Sequence, residues 1–109
     1  SAGGTFTFDL AQGTVVLGGI TTSVSSWAFT NVNSDNSKAT TVTLINNAGV
    51  GYTYGDSCTV NGASIANGVK WVGGNPPPAT ANDDILTFSI VRDSTGVTRV
   101  YCSSSINII

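Results

Sequence analysis

Hydrophobic and polar residues alternate along much of the chain with a period of two, the mark of strands that bury one face. At residues 5–10, Phe6, Phe8 and Leu10 share one side while Thr5, Thr7 and Asp9 share the other. Residues 14–20 are apolar on both sides but contain Gly18-Gly19, which predicts a bulge or a close backbone approach. Residues 24–30 bring Trp27 and Phe29 to one face, and a turn-rich loop at 31–38 leads into a strand at 40–46. Asn47-Ala48-Gly49 then turns the chain into a strand at 50–54. A strand at 58–60 runs into Asn61-Gly62, the strongest hairpin signal present. A short strand at 69–72 ends in Gly73-Gly74-Asn75-Pro76-Pro77-Pro78, whose prolines cannot donate to a sheet. Residues 85–92 place Leu86, Phe88 and Ile90 inward, and Asp93-Ser94-Thr95-Gly96 turns them into a strand at 97–102. The apolar tail at 106–109 reads as an edge strand or an interface strand. This spacing predicts an all-β domain, an antiparallel β-sandwich or jelly roll of about eight short strands. The domain spans 1–109, with 1–4 read as an N-terminal arm and 105–109 as an interface strand.

Composition supports the strands and narrows the chemistry. Only 9% of the residues are charged, all six acids are Asp, and Glu, His and Met are absent. Thr, Ser, Gly and Asn supply nearly half the chain, so long helices are close to excluded. With no His and one pair of cysteines, neither a zinc site nor a His-based triad can be assembled from this chain alone. The four bases, Lys38, Lys70, Arg92 and Arg99, are scattered in sequence, and the net charge is −2. Nucleic acid is therefore not an expected partner. No apolar run approaches the ~20 residues of a membrane span, so membrane insertion is not expected either. The first residues lack the charged start and apolar stretch of a signal peptide; a small residue at position 1 suits a short protein trimmed of its initiator Met, and equally a fragment or a processed chain. So low a charge on so small a domain suits a chain that hides much of its surface against copies of itself or within a larger assembly. The blander reading is a secreted β-domain that is simply rich in Thr and Ser.

Candidate chemistry is sparse. Cys58 and Cys102 are either a disulfide closing a long loop or two buried free thiols. Asp83-Asp84, Asp56 and Asp35 could offer oxygen to a cation, but their spacing matches no calcium loop. Nothing points to a cleft with paired carboxyls, and the serines lack a general base. The expectation is a protein that is not an enzyme and that uses no cofactor or metal. Trp27, Trp71, Tyr52, Tyr54 and Tyr101 could form a sugar-stacking platform or could fill the core. Trp27 reads as core. Trp71 is the candidate for presentation on an exposed loop with Gly73, Gly74, Asn75, Pro76, Pro77 and Pro78.

One stretch carries a resemblance. Val69-Lys70-Trp71-Val72-Gly73-Gly74-Asn75-Pro76-Pro77, followed by Asp84-Ile85-Leu86-Thr87-Phe88-Ser89-Ile90, resembles a segment of small virion structural and tail-fibre β-domains of bacteriophages, including marine and cyanobacterial ones. In order upstream, Phe8-Asp9-Leu10-Ala11-Gln12-Gly13, Phe29-Thr30-Asn31-Val32, Thr41-Val42-Thr43-Leu44-Ile45 and Gly51-Tyr52-Thr53-Tyr54 fit the same group, and Val60-Asn61-Gly62-Ala63 resembles an insertion in some members. The C-terminal residues, with their Ser run and Ile tail, depart from its pattern. The resemblance implies a non-enzymatic virion protein, assembled in the host cytoplasm, and does not choose its location on the particle. The preferred expectation is the particle exterior, in a tail fibre, tail tip or neck appendage, as a homotrimer beside other virion proteins that contributes to host attachment, with a host-surface glycan as an eventual partner. It also tilts the cysteines toward free thiols. A capsid decoration protein stabilising the head is the alternative. A bacterial surface carbohydrate-binding or pilin-type module, with a Cys58–Cys102 bridge, is the third reading.

Overall fold

The computed structural model describes residues 4–47 and 51–109. Most of the expected arm, and all but Asn47 of the turn at 47–49, lie outside the described residues. Nine strands form: β1 (Gly4–Asp9), β2 (Val15–Gly18), β3 (Val24–Thr30), β4 (Lys38–Asn46), β5 (Tyr54–Val60), β6 (Ala63–Ser64), β7 (Val69–Trp71), β8 (Asp83–Arg92) and β9 (Thr98–Ile108). A 3₁₀ turn at Leu10–Gln12 follows β1, capped by Asp9, whose carboxylate accepts from the Ala11 amide at 3.0 Å.

The strands form two sheets, ordered β1-β3-β5-β6 and β2-β4-β8-β9-β7. The all-β sandwich is as the alternation predicts. The strand directions are not: β1·β3, β3·β5, β2·β4 and β7·β9 run parallel, and only β4·β8, β8·β9 and β5·β6 are antiparallel. The architecture is thus a mixed sandwich rather than an antiparallel one or a jelly roll. The cause is the path of the chain. From β1 to β5 successive strands alternate between the two sheets, so each return to a sheet is made in the same direction. Parallel neighbours need such a crossover, and here a strand of the facing sheet supplies what is more often a helix.

This winding stacks like on like in the core. Phe6, Trp27 and Cys58 share one row of the four-stranded sheet, and Phe8, Phe29 and Val60 share the next. The Phe8 and Phe29 rings stack at 5.0 Å and 7°, and Phe88 from the other sheet closes on Trp27 at 5.0 Å and on Phe29 at 5.3 Å. Each fully buried aromatic of this kind stabilises the fold by roughly 1.5–3 kcal/mol. A register shift between Val24 and Ser26 lets both Val24 and Trp27 face inward despite their odd spacing. Gly55 permits the close approach there: a Cβ on it would lie 2.5 Å from the Val24 carbonyl oxygen.

The Asn61-Gly62 hairpin forms as expected, with φ of 50° and 84° at the two central residues. The tail at 105–109 is not a separate strand. It continues β9, which pairs with β8 almost to its end.

Candidate functional site

The inward rows of β4 and β8 end in two polar cross-strand pairs, Asn46·Asp84 at one end of the sandwich and Lys38·Arg92 at the other. Both side chains of the first pair are fully buried. Asn46 accepts from the Ile20 amide at 2.9 Å and donates to the Tyr54 hydroxyl at 2.9 Å. Tyr54 in turn donates to Asp84 at 2.9 Å. Three further donors reach the same carboxylate: the Thr80 amide at 2.8 Å, the Thr80 hydroxyl at 2.6 Å and the Asn107 amide at 3.0 Å. Burial by itself raises the Asp84 pKa, but these donors together outweigh it, and the carboxyl sits below its ordinary value. Burial pushes the Tyr54 hydroxyl upward. The knot joins both sheets and the 79–82 segment, and no buried side-chain polar atom among the described residues lacks a partner. It has the form of a structural lock, its carboxylate taken up by four donors from the chain itself.

Trp71 is a correction to the sequence reading. Its side chain is only 8% exposed, lies edge-on to Phe88 at 6.3 Å, and donates its indole N–H to Asp56 at 2.8 Å. It belongs to the core, so no exposed loop presents it. Its neighbours divide: Gly73, Gly74, Asn75 and Pro78 are exposed, Pro76 and Pro77 half-buried. The segment is tied back by a bridge between Thr53 and Pro78. Trp27 is fully buried and donates to the Gly55 carbonyl at 2.8 Å. The candidate aromatic residues are dispersed: Tyr54 is locked in the knot, Tyr52 packs against the core, and Tyr101 is exposed on the outer wall between Ser89 and Lys70.

Cys58 and Cys102 are buried free thiols in different sheets. Burial pushes their pKa values up to about 11 and about 12. They are protonated, unreactive groups at neutral pH. Asp93 closes the β8–β9 turn, accepting from the Thr95 hydroxyl at 2.7 Å, the Thr95 and Val97 amides, and the Arg99 guanidinium at 2.8 Å. These bonds hold its carboxyl far below the usual range. Among the described residues no three metal-ligating side chains come together.

At the Lys38·Arg92 end lies a pocket of about 220 Å³, lined by residues of both sheets and of the 32–34 loop. Val60, Ile65 and Ile90 form its floor, and Asn33, Arg92 and Thr98 stand on its rim. Arg92 donates from Nε to Asn36 at 2.8 Å, which fixes the guanidinium plane. The Asn61 side chain holds the loop wall by bonding both the amide and the carbonyl of Val32, at 3.0 and 2.9 Å. Sequence reading missed this site because its lining comes from distant segments, and only strand register sets Lys38 opposite the lining residue Arg92. A second hollow, of about 390 Å³ beside Asp56, is lined by hydroxyls and amides such as Ser57, Ser64 and Asn67.

The outer wall of the five-stranded sheet has a different character. Two of its rows, Leu17-Ile45-Ile85-Ser105 and Val15-Thr43-Thr87-Ser103, carry no charged residue, while the next two, Thr41-Ser89-Tyr101-Lys70 and Ala39-Val91-Arg99, each end in one cation. Val15 and Leu17, on the edge strand, are 67% and 72% exposed.

These features define a mixed β-sandwich with a locked end, a cationic end beside a pocket, and an outer wall that is uncharged over its β2-side half. No family model, curated protein or solved structure matches the chain.

Proposed function

We propose that this chain is a non-enzymatic structural domain of a bacteriophage particle, mounted on the exterior in a tail fibre, tail tip or neck appendage. There it packs against copies of itself as a homotrimer and contributes to host attachment. The motif resemblance in the strand-Trp-Gly-Gly-Asn-Pro-Pro region and its upstream partners supports the phage assignment. The observation that carries the self-packing is the uncharged half of the outer wall, two rows of apolar and hydroxyl side chains with Val15 and Leu17 exposed at its edge. Such a wall is poorly guarded against association, since an edge strand is normally blunted by charge. Symmetric packing of identical walls buries it and leaves the Asn75 loop free to face outward.

Light scattering at micromolar concentration tests the assembly. The expected species is three times the 11.1 kDa chain, and Leu17→Asp shifts it toward monomer. A wild-type species of 11.1 kDa overturns the reading. Densitometry of purified phage particles tests the placement. A copy number in keeping with tail appendages is expected, whereas one that matches the shell subunits replaces the tail with the capsid-decoration role.

A further inference from the structure

We propose that the pocket at the Lys38·Arg92 end of the sandwich is a binding site for a carboxylated monosaccharide unit, with Arg92 receiving the carboxylate. The proposal deepens the host-attachment reading and rests on it for the biological source of the sugar.

The chain has four cations, and two of them, Lys38 and Arg92, are directly opposite on one face of an antiparallel ladder. Like charges so placed repel. Neither forms an ion pair with a described residue: the pair at this end of the sheet joins Arg99 to Asp93, and Arg99 faces the outer wall. Asp35, the acid in the adjoining loop, is exposed and pairs with neither. An overall acidic protein therefore carries two cations without an ion-pair partner among the described residues, of which Arg92 lines the cavity and Lys38 stands opposite it on the neighbouring strand.

The cavity sets the rest of the ligand. Its volume is about 220 Å³, below the ~300 Å³ at which pockets for drug-sized molecules begin. That is too small for a lipid chain or a peptide. Its floor of Val60, Ile65 and Ile90 suits the C–H face of a sugar ring. On its rim the Ser34 and Thr98 hydroxyls have no side-chain hydrogen-bond partner among the described residues and can meet ring hydroxyls. Arg92, oriented by Asn36, offers its remaining N–H groups as a planar fork that matches a carboxylate. A bare inorganic anion would satisfy the fork and leave the apolar floor unused.

The test is a titration of isotopically labelled protein with glucuronate, glucose and sulfate, followed by NMR amide shifts. Glucuronate is expected to move the amides around 32–34, 60–65 and 90–98, and glucose to move them far less. Arg92→Gln should weaken glucuronate by about tenfold or more, Lys38→Gln by about two- to fivefold, and Lys70→Gln not at all. If Arg92→Gln does not fold, loss of affinity in Lys38→Gln and with rising salt carries the test. No glucuronate response, or a response that survives Arg92→Gln, overturns the proposal. Sulfate binding as tightly as glucuronate reduces the site to one for bare anions and overturns the saccharide. A monomer that binds glucuronate refutes the assembly and leaves this site standing; a trimer that ignores glucuronate refutes the site alone.

Discussion

The two ends of the β4·β8 ladder solve the same problem in opposite ways. Each places a polar cross-strand pair on the inward face, where the core gives way to solvent. At the Asn46·Asp84 end every donor and acceptor finds a partner, and the end closes over a fully buried carboxylate. At the Lys38·Arg92 end two like charges face one another, and a cavity lined by Arg92 lies beside them. The difference teaches that a polar row can be buried only when its hydrogen bonds are complete. Neutral donors achieve this around one carboxylate, while two cations without a counter-charge keep their end wet.

The comparison breaks most sharply at Asp84. Asp84→Ala leaves the Tyr54 hydroxyl and the Thr80 and Asn107 amides without their acceptor. It should cost about 3–5 kcal/mol in urea unfolding; a loss below about 1 kcal/mol would mean that the lock does not hold the sheets together. The same carboxylate predicts an acid limb. Its pKa is lower in the folded protein than in the unfolded chain, so its contribution is intact above the unfolded value near 3.9. That contribution is lost as pH falls through the folded value. The urea midpoint should drop below about pH 4 in the wild type, and this drop should shrink in Asp84→Asn.

Trp71→Phe keeps the ring against Phe88 but removes the indole N–H from Asp56, and a loss of about 1–2 kcal/mol is expected by thermal melting. The thiols give an alkaline counterpart. Their folded pKa values of about 11 and about 12 exceed the unfolded value near 8.5, so the stability they contribute is complete below that value. It declines as pH rises toward the folded values. Iodoacetamide at pH 8 should label neither cysteine until the protein is unfolded. The smallest effect belongs to the Lys38·Arg92 end. Lys38→Thr removes one of two facing cations, and stability should rise by a few tenths of a kcal/mol, about 0.2–0.5, or stay level. A loss above about 1 kcal/mol would show that Lys38 holds the fold together.

Most strands were legible because alternation is a local signal. Phe6 and Phe8, Val42 and Leu44, and Leu86, Phe88 and Ile90 each declare a buried face without reference to the rest of the chain. Asn61-Gly62 declares its turn in the same way, because few other residues accept its dihedral angles. Trp71 was not legible. It occupies a three-residue strand beside a Gly-Pro loop, and its inward placement depends on Asp56, fifteen residues earlier in the chain.

The amino-acid order by itself determined an all-β domain, the inward-facing residues of its longer strands, and a surface nearly without charge. Tertiary structure decided the direction of the pairings, the locking of Asp84 and the meeting of Lys38 with Arg92. The physical reason is range. Period-two patterning says which way a side chain points, but a strand's neighbour is chosen by how the whole chain winds between two sheets, and that choice is written in no single segment.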